Sequence, residues 1–164
     1  LALRSAVVAL VFVSSASAQE TGPRVTVGNL DVETYRYALS AERRSIMEAN
    51  INLGLDRRPQ FFAIYDEFDK EREPLDKERF SLLQRYASAQ SGVSDPQAMA
   101  LVRAVAGLHV REIQLRSRYA ERLHKEMGGL VGARFYQLDD VVTTAIRLNS
   151  LRGIPLAGVA GAPR

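Results

Sequence analysis

The chain has 164 residues, 22 basic against 19 acidic, a formal net charge of +3 and no cysteine. Without cysteine there are no disulfide staples and no thiolate chemistry. The near-balanced charge, with 19 Arg and 3 Lys scattered rather than massed in a basic tract, argues against nucleic acid as a partner.

Residues 1–18 read as a secretory leader. An apolar run from Ala6 to Val13 follows Arg4, and Ala16-Ser17-Ala18 forms a small-x-small cleavage site just before Gln19. The chain opens on Leu1, so an initiator Met and part of the basic region are expected to be missing. The run is too short to span a bilayer, which takes about 20 apolar residues. No Cys follows the cut, so no membrane anchor of the lipoprotein kind is expected. Cleavage would remove only Arg4 among the charged residues, taking +3 to +2. The expected location is the periplasm, where a domain lacking disulfides must be held by helix packing.

Residues 19–30, with Gly22, Pro23 and Gly28, read as a flexible leader to an all-α domain over 31–152. Tyr35, Leu39, Ile46, Ala49 and Leu53 give the first helix its apolar face, and Asn50, Asn52 and Gly54 mark its end. A second helix is expected from an Asp56 N-cap, with Pro59 at its third position, where the missing N–H costs nothing. Its long face carries Phe61, Ile64, Tyr65, Phe68, Leu75, Leu82, Leu83 and Tyr86, with a kink or break expected near Pro74. After a turn at Ser88–Val93, Ser94-Asp95-Pro96-Gln97 is a strong helix start, Ser94 as N-cap and Gln97 as its capping-box partner. The third helix runs to Met127 and stops at Gly128-Gly129. A fourth, from about Gly132 to Leu151, shows Phe135, Leu138, Val142, Ile146 and Asn149 on one side. Residues 153–164 read as a loose tail. The expected architecture is four helices: a long antiparallel hairpin of the second and third, flanked by the shorter first and fourth.

Polar groups interrupt the apolar faces. The third helix's face centres on Val105 and Leu123, flanked by Leu101, Val102, Tyr119 and Met127, yet His109, Glu112 and Arg116 fall in its middle. The second helix carries Arg72 and Arg79 on its stripe. A buried charge must be paired, because an unpaired one costs several kcal/mol. A hairpin turning at residues 91–93 would set Arg72 level with Glu112, with Arg116 supporting at i,i+4. Two readings follow. In one, Arg72, Glu112, Arg116 and His109 form a half-buried ion network fixing register. In the other, the face stays open as a concave client-binding surface of Phe61, Tyr65, Phe68, Arg72, Arg79, Tyr86, Arg116 and Tyr119.

Catalytic and metal constellations do not assemble. His109 and His124 lie fifteen residues apart on one helix, about 22 Å, and cannot share a metal. Glu121-Arg-Leu-His124 has the Glu-x-x-His spacing of di-iron bundles, but no second such pair exists. His124 with Met127 is the only nucleus for a metal, and no native metal or other cofactor is expected. Asp139-Asp140 are sequence neighbours about 100° apart, read as a solvated helix edge. No nucleophile elbow, phosphate loop or Ser–His–Asp set can be assembled, so no enzyme is expected.

Several segments resemble a group of exported bacterial proteins related to the Spy/CpxP superfamily: Arg44-Ser-Ile-Met-Glu-Ala-Asn-Ile-Asn-Leu53, Phe61-Phe-Ala-Ile-Tyr-Asp-Glu-Phe-Asp69, and Val93-Ser-Asp-Pro-Gln97 in place of a Leu-Thr-x-x-Gln repeat. Ala133-Arg-Phe-Tyr-Gln-Leu-Asp-Asp140 and Leu151-Arg-Gly-Ile-Pro-Leu156 add to the likeness, which covers about residues 35–156. The resemblance implies a helical hairpin with flanking helices, often paired as a cradle-shaped homodimer. It also implies an ATP-independent chaperone for unfolded or exported clients, or a stress-responsive or metal-responsive adaptor that binds a sensor protein.

Overall fold

The computed structural model describes the backbone of residues 32–88 and 93–151, and side chains over 39–86, 88 and 93–148. The leader, the segment before the domain, the turn at 89–92 and the tail lie outside the described residues. Four helices follow in order: α1 (Val32–Asn50), α2 (Arg58–Ser88), α3 (Asp95–Met127) and α4 (Gly129–Leu151). Among the described residues there is no strand, and no helix is long and apolar enough to cross a membrane.

Local chemistry sets most of the ends. Asn52 takes a left-handed φ of 51°, a conformation Asn tolerates better than most residues, and it turns the chain out of α1. The linker behind it is tied down. Arg134 donates to the Asn52 carbonyl at 3.2 Å, and Arg57 to that of Met127 at 2.6 Å. The second helix begins at Arg58 rather than beside Asp56, so Pro59 is its second residue. It passes Pro74 without the expected break. Ser94 caps α3: its N–H and its hydroxyl both donate to the Gln97 side-chain oxygen at 3.0 Å. Gly128, at φ 98°, is the single residue between α3 and α4, and its N–H closes on the His124 carbonyl at 3.0 Å.

Gly132, expected near the start of α4, lies one turn inside it and serves packing instead. A Cβ there would stand 2.5 Å from the Ala120 carbonyl oxygen and 3.1 Å from the His124 nitrogen, so only glycine lets α3 and α4 approach this closely.

The core has three apolar parts. Near the α3–α4 joint, Phe61, Tyr65, Phe68, Tyr119, Leu123 and Phe135 are centred among buried aliphatics, with Phe68 edge-on to both Phe135 and Tyr119. Further along, Leu39, Phe80, Leu83, Val142 and Ile146 form a second cluster, and Leu82, Leu101 and Leu108 a third. Val102, expected in the core, is half exposed, and Ala49 lies on the surface. The interior face of α1 is Leu39, Arg43 and Met47, each one turn from the next.

Candidate functional site

Between the aromatic cluster and the second cluster lies a layer of charge to which every helix contributes. Arg43 on α1 donates from both terminal nitrogens to the two oxygens of Asp76 on α2, at 2.7 and 2.8 Å. Arg72 on α2 donates to Asp139 at 2.5 Å and to the Thr143 hydroxyl at 2.7 Å, both on α4. Arg116 on α3 reaches the other Asp139 oxygen at 2.6 Å and Asp140 at 2.5 Å. Glu112 on α3 accepts from Arg79 on α2 and, at 2.8 Å, from Arg147 on α4. Arg43, Arg72, Asp76, Glu112, Arg116 and Asp139 are each no more than 3% exposed.

Such charges persist inside a protein only because each faces an opposite one. Burial works to raise the Asp139 carboxyl, but Arg72, Arg116 and Arg43 outweigh it and hold the group below the usual carboxylate range. Glu112 is held low in the same way, burial being overcome by Arg79, Arg147 and Arg72. Among the arginines, burial together with the like charge of Arg43 lowers Arg72, whereas at Arg43 burial is outweighed by Asp76 together with Asp139 and the group is raised. Five guanidinium groups meet four carboxylates, which leaves one positive charge in excess. The Tyr65 hydroxyl and the Nε atoms of Arg43, Arg72 and Arg147 have no hydrogen-bond partner among the described residues.

Both readings of the interrupted faces need correction. Phe61, Tyr65, Phe68, Arg72, Arg79, Arg116 and Tyr119 do not line an open concavity; all are buried, and only Tyr86 is half exposed, against the third cluster. An Arg side chain has an aliphatic stem long enough to join an apolar face while its head finds a carboxylate, so these arginines go inward with the aromatics. Arg72 pairs with Asp139, and Glu112 takes Arg79, two turns further along α2. The expected pairing assumed a turn centred at 91–93, whereas the cross-helix pairs Glu67–Arg122, Glu71–Arg118, Glu78–Arg111 and Arg79–Glu112 centre about three residues later.

His109 stands at the margin of the layer, half-buried and with no hydrogen bond or ion pair among the described residues. Burial and the charge of Arg147 lower its pKa against the pull of Glu112. Asp139, expected on a solvated edge, is the centre of the layer; its neighbour Asp140 is the exposed member of the two.

Apolar periodicity does not mark Arg43, Asp76, Asp139, Thr143 or Arg147 as members of the layer. The available signal was spacing: Leu39-Arg43-Met47 and Phe135-Asp139-Val142 place the charged residue on the apolar row at helical intervals. Among the described residues no group of three His, Cys, Asp or Glu is placed to hold a metal, and His124 is exposed at the end of α3.

The outer surface carries the apolar groups that the layer does not use. On α3, Met99, Val102, Val110 and Ile113 are 46–53% exposed, with Ala106 exposed between them. They recur at intervals of three and four and make one row along about 21 Å of helix. On α4, Val141 and Leu148 are exposed two turns apart. No protein-family description, no characterised protein and no solved structure matches the chain.

Proposed function

We propose that this chain is an exported, periplasmic helical protein that works by holding segments of other proteins, in the manner of an ATP-independent chaperone. The reading rests on one observation, the outer apolar row of Met99, Val102, Val110 and Ile113 on a helix whose opposite side is fixed to the bundle by charge. A soluble domain gains nothing by leaving a straight helical row of aliphatic side chains in water, whereas a binding surface needs one. The buried layer supports the same reading from within: its arginines and carboxylates are engaged with one another, as suits a rigid support.

The order of the α2–α3 ion pairs, falling on α3 as it rises on α2, favours the long antiparallel hairpin; a bend of the unbroken α2 at Pro74 rests on that residue's missing N–H alone. The straightness of the outer row favours, as a second reading, an adaptor that grips one helix of a sensor protein over a holder of varied clients.

The test is light scattering from a chemically denatured model protein diluted into buffer without ATP. Wild-type chain at equimolar amount is expected to suppress the aggregation. No suppression at roughly tenfold molar excess would remove the chaperone reading, and a pull-down returning one envelope sensor would put the adaptor in its place.

A further inference from the structure

The charge around the outer row says what kind of segment fits it. From Pro96 to Arg111, α3 contains Arg103, His109 and Arg111 and not one Asp or Glu. The end of α2 from Arg79 to Ser88 and the end of α4 from Val141 to Leu151 are likewise free of acid and add Arg79, Arg85 and Arg147. Of these, Arg79, Arg111 and Arg147 are engaged with Glu112, Glu78 and Glu112 respectively. Arg103 is exposed, one turn from Met99 and from Ala106, and makes no ion pair among the described residues.

The row also has a defined side. Arg111 turns to Glu78 on α2 and Glu112 turns inward, so Ile113, the next step round the helix, faces away from α2. Val102 and Ala106 share that flank. The pairs Glu112–Arg147 and Arg116–Asp140 show α3 and α4 running in opposite senses, which sets Val110 level with Leu148 on α4. An apolar strip with an unanswered arginine beside it results.

We propose that this strip receives an amphipathic helix from another protein, one that lays its apolar face on Met99, Val102, Val110 and Ile113 and carries acidic residues along the edge that meets Arg103. The proposal rests on the binding-protein reading above and deepens it. Charge favours this occupant over three others. The chain's own segment 152–164 carries Arg152 and Arg164 and no acid, so it brings more of the same sign. A second copy set on the row about a twofold axis would meet it with another acid-free stretch. An anionic membrane recruits clusters of about 4–8 basic residues, and the row has Arg103 alone to spare.

The test uses the full chain and two synthetic helical peptides of ~20 residues labelled with a fluorophore, identical in their leucine row and bearing Glu or Lys along the flanking edge. Anisotropy is expected to show binding of the Glu peptide and none of the Lys peptide. Kd is expected to rise roughly tenfold or more in Val110→Glu, Ile113→Glu and Arg103→Glu. These positions are exposed, and circular dichroism checks that each variant keeps its fold.

Equal binding of both peptides, unchanged Kd in the variants, or capture by phosphatidylglycerol vesicles without binding of the Glu peptide each overturns the proposal. A wild-type dimer that Val110→Glu converts to monomer also overturns it, in favour of a second copy on the row. Aggregation suppression separates the two levels: activity that survives Val110→Glu/Ile113→Glu sinks the strip alone, whereas inactive wild-type chain sinks the wider reading.

Discussion

Asp76 neutralises Arg43 across the α1–α2 interface through two hydrogen bonds while standing 3.9 Å from Arg72, one turn earlier in its own helix. One carboxylate thus separates two guanidinium groups that would otherwise face each other inside the protein. Its removal is expected to cost more than the worth of the pair, because it strands a buried cation. Asp76→Ala should destabilise the chain by about 3–5 kcal/mol in urea denaturation followed by circular dichroism. The double variant Arg43→Met/Asp76→Leu should recover most of that loss. A single variant no worse than the double would show that the pair does not carry the charge balance assigned to it.

Acid is expected to undo the layer. Asp139 and Glu112 titrate lower in the folded chain than in the unfolded one, so their contribution is complete above the unfolded values near 4 and is lost as pH falls through the depressed folded ones. The urea midpoint should therefore stay level from pH 7 to about 5 and drop steeply below about 4. Asp139→Asn should be weaker at neutral pH and show a shallower drop. At the alkaline end, burial and Glu71 push the Tyr119 hydroxyl up to about 12, so its contribution holds below the ordinary value of 10.0 and fades as pH climbs through that range.

Gly132→Ala should be destabilising although alanine is the better helix former. Its methyl group would meet the Ala120 carbonyl at 2.5 Å, a backbone atom that cannot swing aside. Prising α3 from α4 at this point is expected to cost about 1–3 kcal/mol. An increase in thermal midpoint would mean that the helices are not in such close contact.

Gly107→Ala should have the opposite sign. The residue lies inside α3 with nothing within 4 Å of the position a Cβ would take. Restricting the unfolded chain there is expected to add roughly 0.5–1 kcal/mol. A loss in the same assay would reveal a contact at that face.

Signals confined to a few neighbouring residues were legible in the sequence. Ser94 with Gln97 and Gly128 with Gly129 mark both ends of α3, and the apolar periodicity gives four helices with ends within a few residues of those observed. The partners of the buried charges were not. Whether Arg72 meets Glu112 or Asp139 depends on where the α2–α3 turn is centred and on α4 folding back over both helices, and neither is written in the spacing within one helix. Asp139 was hidden by Asp140, since two adjacent acids look like a wet edge when only one of them is. Arg43 was hidden because a search for apolar rows passes over arginine, whose stem packs as an aliphatic side chain does. The same oversight turned an interior into an apparent docking face: Tyr65 and Phe68 seemed to need a partner, and α4 supplies it through Phe135.

The joint at Gly128 constrains how this corner of the chain can change over time. With one residue between α3 and α4, there is no slack to absorb a gain or loss of chain length. Deleting one residue from the last turns of α3 would rotate all that follows by about 100° and swing Asp139 off Arg116. Exposed side chains in this region can drift by substitution, but an insertion or deletion between Arg116 and Asp139 throws two helices out of phase at once. Across descendants of this sequence, that interval should keep its length even where its letters change.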